Sequence, residues 1–229
     1  MGDSIKYLRN SYKKSYDNPI GSVYVNKIKI YIKDPLPKEV DFRQSIEFIL
    51  KKLPESLLKN IDTISIGDFI FLKQRQVDAI YRNGNIFLSN NQLNNYDLMS
   101  DLIHEIAHCF EEQNKDFIYS DEEIKQEFLS KRRQLFYNLT AHIELPDEIT
   151  EKDFYNINYS PKFDSFLYNK IGYEKLQNFT NNLFVSPYAA TSLREYFANA
   201  FENYFINDMF IVKKYANKVY NKLINFLEF

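Results

Sequence analysis

Leu98-Met-Ser-Asp-Leu-Ile-His-Glu-Ile-Ala-His-Cys-Phe110 carries two patterns on one predicted helix. Leu98, Met99, Leu102, Ile103, Ile106 and Phe110 recur at three- and four-residue spacing, the apolar stripe of a helix that packs on a core. His104 and His108 are one turn apart, so their imidazoles stand above one another and can converge on a single metal ion. At about 100° per residue they lie roughly half a turn from the centre of the stripe. The spacing therefore predicts one face packed and the other presenting the two rings. Glu105, between them, would stand beside such a metal without having to bind it, where it can take a proton from an activated water. Asn94 or Asn95 suits the start of this helix and Asn114 its stop. The chain has three histidines, and this motif uses two of them.

Two histidines do not hold a catalytic zinc, which takes three protein ligands and leaves a fourth position to water. His142 lies in the polar Thr140-Ala-His-Ile-Glu-Leu-Pro146, where no periodicity aims it. The carboxylates of Ser192–Phe205 are the other candidates. On a helix, Glu195, Asn199 and Glu202 share one face, while Phe197, Phe201, Tyr204 and Phe205 take the other. Ser192 followed three residues later by a glutamate is also a capping box. From spacing alone, Glu195 is equally a cap or a ligand.

His104-Glu-Ile-Ala-His108, taken with Ser186-Pro-Tyr-Ala-Ala-Thr-Ser-Leu-Arg-Glu-Tyr-Phe-Ala-Asn-Ala-Phe201, resembles the glutamate-zincin metallopeptidases. The nearest of these are the anthrax lethal factor-like peptidases, with the clostridial Pro-Pro endopeptidases, and the bacterial Mlc titration factor family. In them a Tyr precedes the third zinc ligand by seven residues, and the ligand opens a Glu-(Phe/Tyr)-Phe-Ala helix. Tyr188 and Glu195 have that separation, and Glu195-Tyr-Phe-Ala198 has that string. The resemblance implies a zincin-like fold, one Zn2+ per chain held by His104, His108 and Glu195, and hydrolysis of a peptide or protein substrate. It implies Glu105 as general base and Tyr188 as support for the tetrahedral intermediate. The chain departs from the family in two places. Residues 114–185 form a longer connection than the lethal factor-like domains have. Asn199 stands where relatives often carry an acid, so a hydrogen bond from it to a ligand histidine would raise basicity less than a carboxylate does.

The composition fits an ordinary globular protein. The 229 residues suffice for a substantial core. Formal charge is −2 with both signs interspersed, which implies neither a nucleic acid nor an acidic membrane as partner. Lys131-Arg-Arg133 is the one tight basic cluster and reads as the solvated face of a helix. Cys109 is the single cysteine, so no internal disulfide forms, and its place on the apolar side predicts a buried, inert thiol. Met1-Gly-Asp-Ser-Ile-Lys-Tyr7 lacks the apolar stretch of a secretory signal, and no run reaches transmembrane length. A soluble protein that starts in the cytoplasm is the default expectation.

Along the chain, residues 22–32 predict a strand or hairpin, 38–53 a helix ended by Pro54, and 61–72 one or two buried strands broken near Gly67-Asp68. Val77–Tyr81 and Asn85–Ser89 flank Asn83-Gly84, the strongest short hairpin signal in the chain. Ile86-Phe-Leu-Ser89 is expected as an edge strand open to an extended peptide. Residues 121–137, 164–184, 191–206 and 208–228 read as helices. The expectation is an α+β fold: a small mixed sheet with an edge strand beside the motif helix and a helical C-terminal half. One domain is expected, with an N-terminal α/β part at about 20–113, a variable insertion at about 114–185 and a helical part from 186. Two other classes share these features: a non-catalytic module on the same fold, and a zinc hydrolase acting on a non-protein substrate.

Overall fold

A computed structural model describes residues 21–25 and 28–228, so the N-terminal stretch read for targeting signals lies outside the described residues. The chain divides into two compact units, one ending at Gln113 and the other beginning at Asn114. The expected insertion and the C-terminal helices thus belong to one unit. Both are α+β or α in content, and the sheet lies in the first.

Among the described residues the first unit begins with β1 (Gly21–Val25) and β2 (Ile28–Ile32), an antiparallel hairpin. Helix α1 (Phe42–Lys52) starts where the Asp41 side chain accepts from the Gln44 backbone N–H, and it stops before Pro54. A short α2 (Glu55–Leu58) leads into β3 (Thr63–Gly67). The second half of the expected strand region is helical instead, as α3 (Ile70–Arg75). Its Ile-Phe-Leu run is too short for periodicity to separate a buried strand from a helical turn. β4 (Ala79–Arg82) and β5 (Asn85–Ser89) then form the expected hairpin. Asn83 and Gly84 both have positive φ, 47° and 78°, as the tight two-residue turn requires. A Cβ on Gly84 would also crowd the Asp62 carboxylate, the movable end of its side chain, so the positive φ is what favours glycine there.

The sheet order is β1-β2-β3-β5-β4, with β2, β3 and β5 parallel and β4 antiparallel to β5. One face carries Ile30, Ile64 and Ile86 in register, and it packs on α1 and on the motif helix α4 (Asn95–Gln113) through Ile46, Ile49, Leu102 and Ile106. On the opposite face Phe87 meets Phe69 and Phe71 edge-on, at 5.5 and 5.4 Å between ring centres. β5, expected at the edge, is therefore an interior strand, and Ile86, Phe87 and Leu88 are buried. The hairpin turn adds β4 outside it, so β4 is the edge beside α4.

The second unit is helical: α5 (Lys115–Tyr119), α6 (Glu123–Thr140), α7 (Glu151–Tyr155) and α8 (Pro161–Ser165) come first. A π turn (Phe166–Ile171) and α9 (Tyr173–Thr180) follow, where one helix over 164–184 is expected. Gly172, at φ 81°, makes the break, because a left-handed residue cannot continue a helix. Then come a 3-10 turn (Tyr188–Ala190), α10 (Leu193–Ile206), α11 (Met209–Tyr215) and α12 (Asn217–Leu227). The expected last helix is two, separated at Ala216, whose backbone is not helical. Among the described residues no helix is long and apolar enough to cross a membrane.

Candidate metal centre

The sequence around the motif folds locally as expected. The Asn94 side chain accepts from the Asp97 backbone N–H at 3.0 Å and caps α4, while Asn95 reaches across to α1, accepting from Asp41 N–H at 2.6 Å. Leu98, Leu102, Ile103, Ile106 and Phe110 are buried, and Met99 is half-buried. Burial also extends round to Glu105, Ala107, His108 and Glu111, so α4 is more enclosed than a helix with one open face. Cys109 is buried as expected. Its thiol lies 3.5 Å from the Asn60 carbonyl, and burial pushes its pKa up to about 11, which leaves it inert.

His104, His108 and Glu195 form a group that can hold a metal ion: one ligand atom from each lies within 4.8 Å of the other two. Two imidazoles on such an ion place their ring centres about 5 Å apart. Those of His104 and His108 are 4.9 Å apart, with planes at 83°. Two ring nitrogens and one carboxylate suit a divalent transition metal and leave coordination positions for water or substrate. His142 is outside the group: it is exposed at the end of α6, with its Nδ1 2.9 Å from the Asn138 carbonyl. Glu202 is outside it as well.

Glu195 resolves its two readings by dividing them between backbone and side chain. Its N–H donates to Ser192 Oγ at 3.2 Å, so Ser192 caps α10, and its carboxylate belongs to the metal group. Asn199 directs its amide elsewhere than to a ligand histidine. Its Nδ2 donates to the Glu195 carbonyl at 3.0 Å, and its Oδ1 accepts from Ser186 Oγ at 2.5 Å. Ser186 Oγ in turn accepts from Ala189 N–H at 3.2 Å, which ties the turn carrying Tyr188 to α10.

The Glu105 carboxylate accepts from the backbone N–H of Tyr81 in β4. Tyr81 is itself held at the hairpin end, its hydroxyl accepting from Gly84 N–H at 3.1 Å. Edge strand and motif glutamate are thereby joined. Tyr188 is half-buried in the 3-10 turn, and burial, then the Glu195 and Asp164 charges, hold its phenol far above the usual tyrosine range. It stays a protonated donor at any physiological pH.

Three features were not legible as site residues. Glu111, one turn beyond His108 and buried, has its carboxylate 3.9 Å from His108 Nδ1, close enough to bias which nitrogen faces a metal. The i, i+3 spacing from His108 was the available signal. Arg132, expected at a solvated face, is almost fully buried. Its guanidinium donates to the carbonyls of Ala190 at 2.6 Å, Thr191 at 3.3 Å and Asp153 at 2.6 Å, and lies 4.0 Å from the Phe163 ring centre. It thus clamps the segment between Tyr188 and Glu195. Its position four residues after Phe128 and eight after Ile124, on the apolar stripe of α6, is the signal that overrides its charge. The third feature is Asp164, which accepts from two tyrosines. No protein-family model, curated protein or solved structure matches this chain.

Proposed function

We propose that this chain is a zinc-dependent endopeptidase of the glutamate-zincin kind. The observation that carries the reading is the grouping of His104, His108 and Glu195, residues distant in sequence, with Glu105 between the two histidines. Zinc, when bound, would polarise the scissile carbonyl and make water acidic near neutral pH, with a pKa of about 7. Glu105 is suited to take the proton of the attacking water and hand it to the leaving amine, base work followed by acid work. Its bond to Tyr81 N–H fixes where that carboxylate points. Tyr188, kept protonated, would donate to the developing oxyanion, where one well-placed donor is worth ~3 kcal/mol. β4 supplies the edge to which an extended peptide adds by backbone hydrogen bonds.

The test joins metal analysis of the purified protein to a peptide-library cleavage assay of wild type and Glu105→Gln. One zinc per chain and cleavage lost in the variant support the reading. A protein that takes up no transition metal, or a variant that cleaves as well as wild type, overturns it. Metal binding with no peptide cleavage would favour the non-catalytic module or a non-protein substrate.

A further inference from the structure

We propose that Asp164, with the rings of Tyr159, Tyr168 and Tyr173, forms a subsite for a cationic group of the substrate, the ammonium or guanidinium of a lysine or arginine. The proposal rests on the peptidase reading for the nature of the substrate and stands otherwise on the second unit alone.

Asp164 is a half-buried carboxylate whose contacts are two phenols: Tyr159 Oη donates at 2.8 Å and Tyr173 Oη at 3.3 Å. Each phenol serves one of its oxygens. A carboxylate can accept about four hydrogen bonds, so both oxygens keep room for a further donor. Among the described residues Asp164 makes no ion pair. Lys162, two residues before it, is turned to Asp153 at 2.6 Å and to the Glu148 carbonyl at 2.8 Å. The charge of Asp164 is therefore offset by dipoles and not by a cation.

The rings beside it add to the same preference. Tyr168 and Tyr173 meet at 5.2 Å between ring centres, and Tyr173 meets Tyr188 at 6.3 Å, both steeply tilted. Tyr159 and Tyr168 are 52% and 55% exposed, so ring surface is open to a ligand. Ring faces attract alkylammonium and guanidinium groups through the quadrupole of the π-system. The tyrosines lead from Asp164 to Tyr188, and Glu195 acts electrostatically on both Tyr173 and Tyr188. A substrate held beside Tyr188 thus has the Asp164 carboxylate within side-chain reach.

The experiment uses the full chain as the metal-loaded Glu105→Gln variant, which should hold peptides without turning them over. The probes are fluorescent alanine hexapeptides with Lys, Arg, norleucine or Glu scanned through each position, with free and with acetylated N-termini. At one position Lys and Arg should bind about tenfold tighter than norleucine, the scale of a charge-assisted contact. Acetylation should leave that advantage intact; a terminal amine as the ligand would instead give Lys no advantage over norleucine and make acetylation weaken every peptide alike, which overturns the side-chain subsite. The advantage should fall within about twofold when Asp164→Asn is added, and shrink with added salt. Tyr168→Ala, at a ring that is 55% exposed, should also reduce it. Equal binding of Lys and norleucine peptides, or a preference unchanged by Asp164→Asn in a protein of unaltered melting temperature, overturns the subsite. Wild-type turnover is read separately. Charge-selective binding without hydrolysis would sink the peptidase reading and leave the subsite, and hydrolysis without charge preference would do the reverse.

Discussion

The backbone N–H of Tyr81 donates to the carboxylate of Glu105, so an edge strand of the sheet holds the acid of the motif helix. A glutamine at 105 can still accept that bond through its amide oxygen but cannot take a proton from water. Glu105→Gln should keep the fold and the metal and lose peptide hydrolysis. Melting temperature, metal content and cleavage rate on one preparation check this. Undiminished cleavage would remove Glu105 from the chemistry.

If His104, His108 and Glu195 hold zinc as proposed, His104→Ala and His108→Ala should each abolish stoichiometric binding, and Glu195→Ala should weaken it by a hundredfold or more, since each takes away one of three candidate ligands. His142→Ala and Glu202→Ala lie outside the group and should bind as wild type does. Competition against a chromogenic chelator reads all five. A wild-type protein that takes up no metal would defeat the centre as a whole.

Tyr188→Phe removes one hydroxyl held in its protonated form. If that hydroxyl donates to an oxyanion, kcat should fall about 10²-fold with KM and zinc affinity nearly unchanged. A lowered melting temperature with unaltered kcat would make it a packing residue instead.

Asp101 on α4 has its pKa raised to about 7, first by burial, although Gln92 Nε2 donates to it at 3.1 Å; the charges of Asp97, Asp78 and Glu105 raise it further. The folded state therefore holds a proton that the unfolded state has released between about pH 4 and 7. Stability falls as pH rises through that window and stays lower above it. Asp101→Asn removes the charge, so it should melt close to wild type at pH 4 and higher at pH 8. The gain should be about 2 kcal/mol once solvent screening at this half-buried group is allowed for. Equal melting temperatures at pH 8 would count against a charged, buried Asp101.

Arg132 holds three carbonyls in a buried site, and burial pulls its pKa down to about 9. Arg132→Ala leaves those carbonyls without donors and opens a cavity, for a loss of about 3–5 kcal/mol. Arg132→Met keeps the apolar stem and should lose less stability. Both should loosen the segment from Tyr188 to Glu195 and weaken zinc binding well below the melting point. Chelator competition beside thermal melts separates the two effects, and wild-type metal affinity in Arg132→Met would confine the residue to fold support.

What could be read without the fold were the features set within a few residues. Asn83-Gly84 marks the hairpin because two successive left-handed residues admit little else. Asn94 caps α4, and the one-turn spacing of His104 and His108 aims both rings together whatever surrounds them. Glu195 as a ligand needed the resemblance of its surrounding string, because on spacing alone it served equally as a cap. Which strand forms the edge was decided by pairing between β3 and β5, a contact between distant residues that no local pattern in Ile86–Ser89 encodes. The same holds for Arg132. A charged side chain looks solvated in isolation, and only the carbonyls brought to it by distant segments make it a buried clamp. Local sequence sets backbone conformation and the direction of nearby side chains, whereas burial and partnership are properties of what packs against them, and tertiary structure alone decides those.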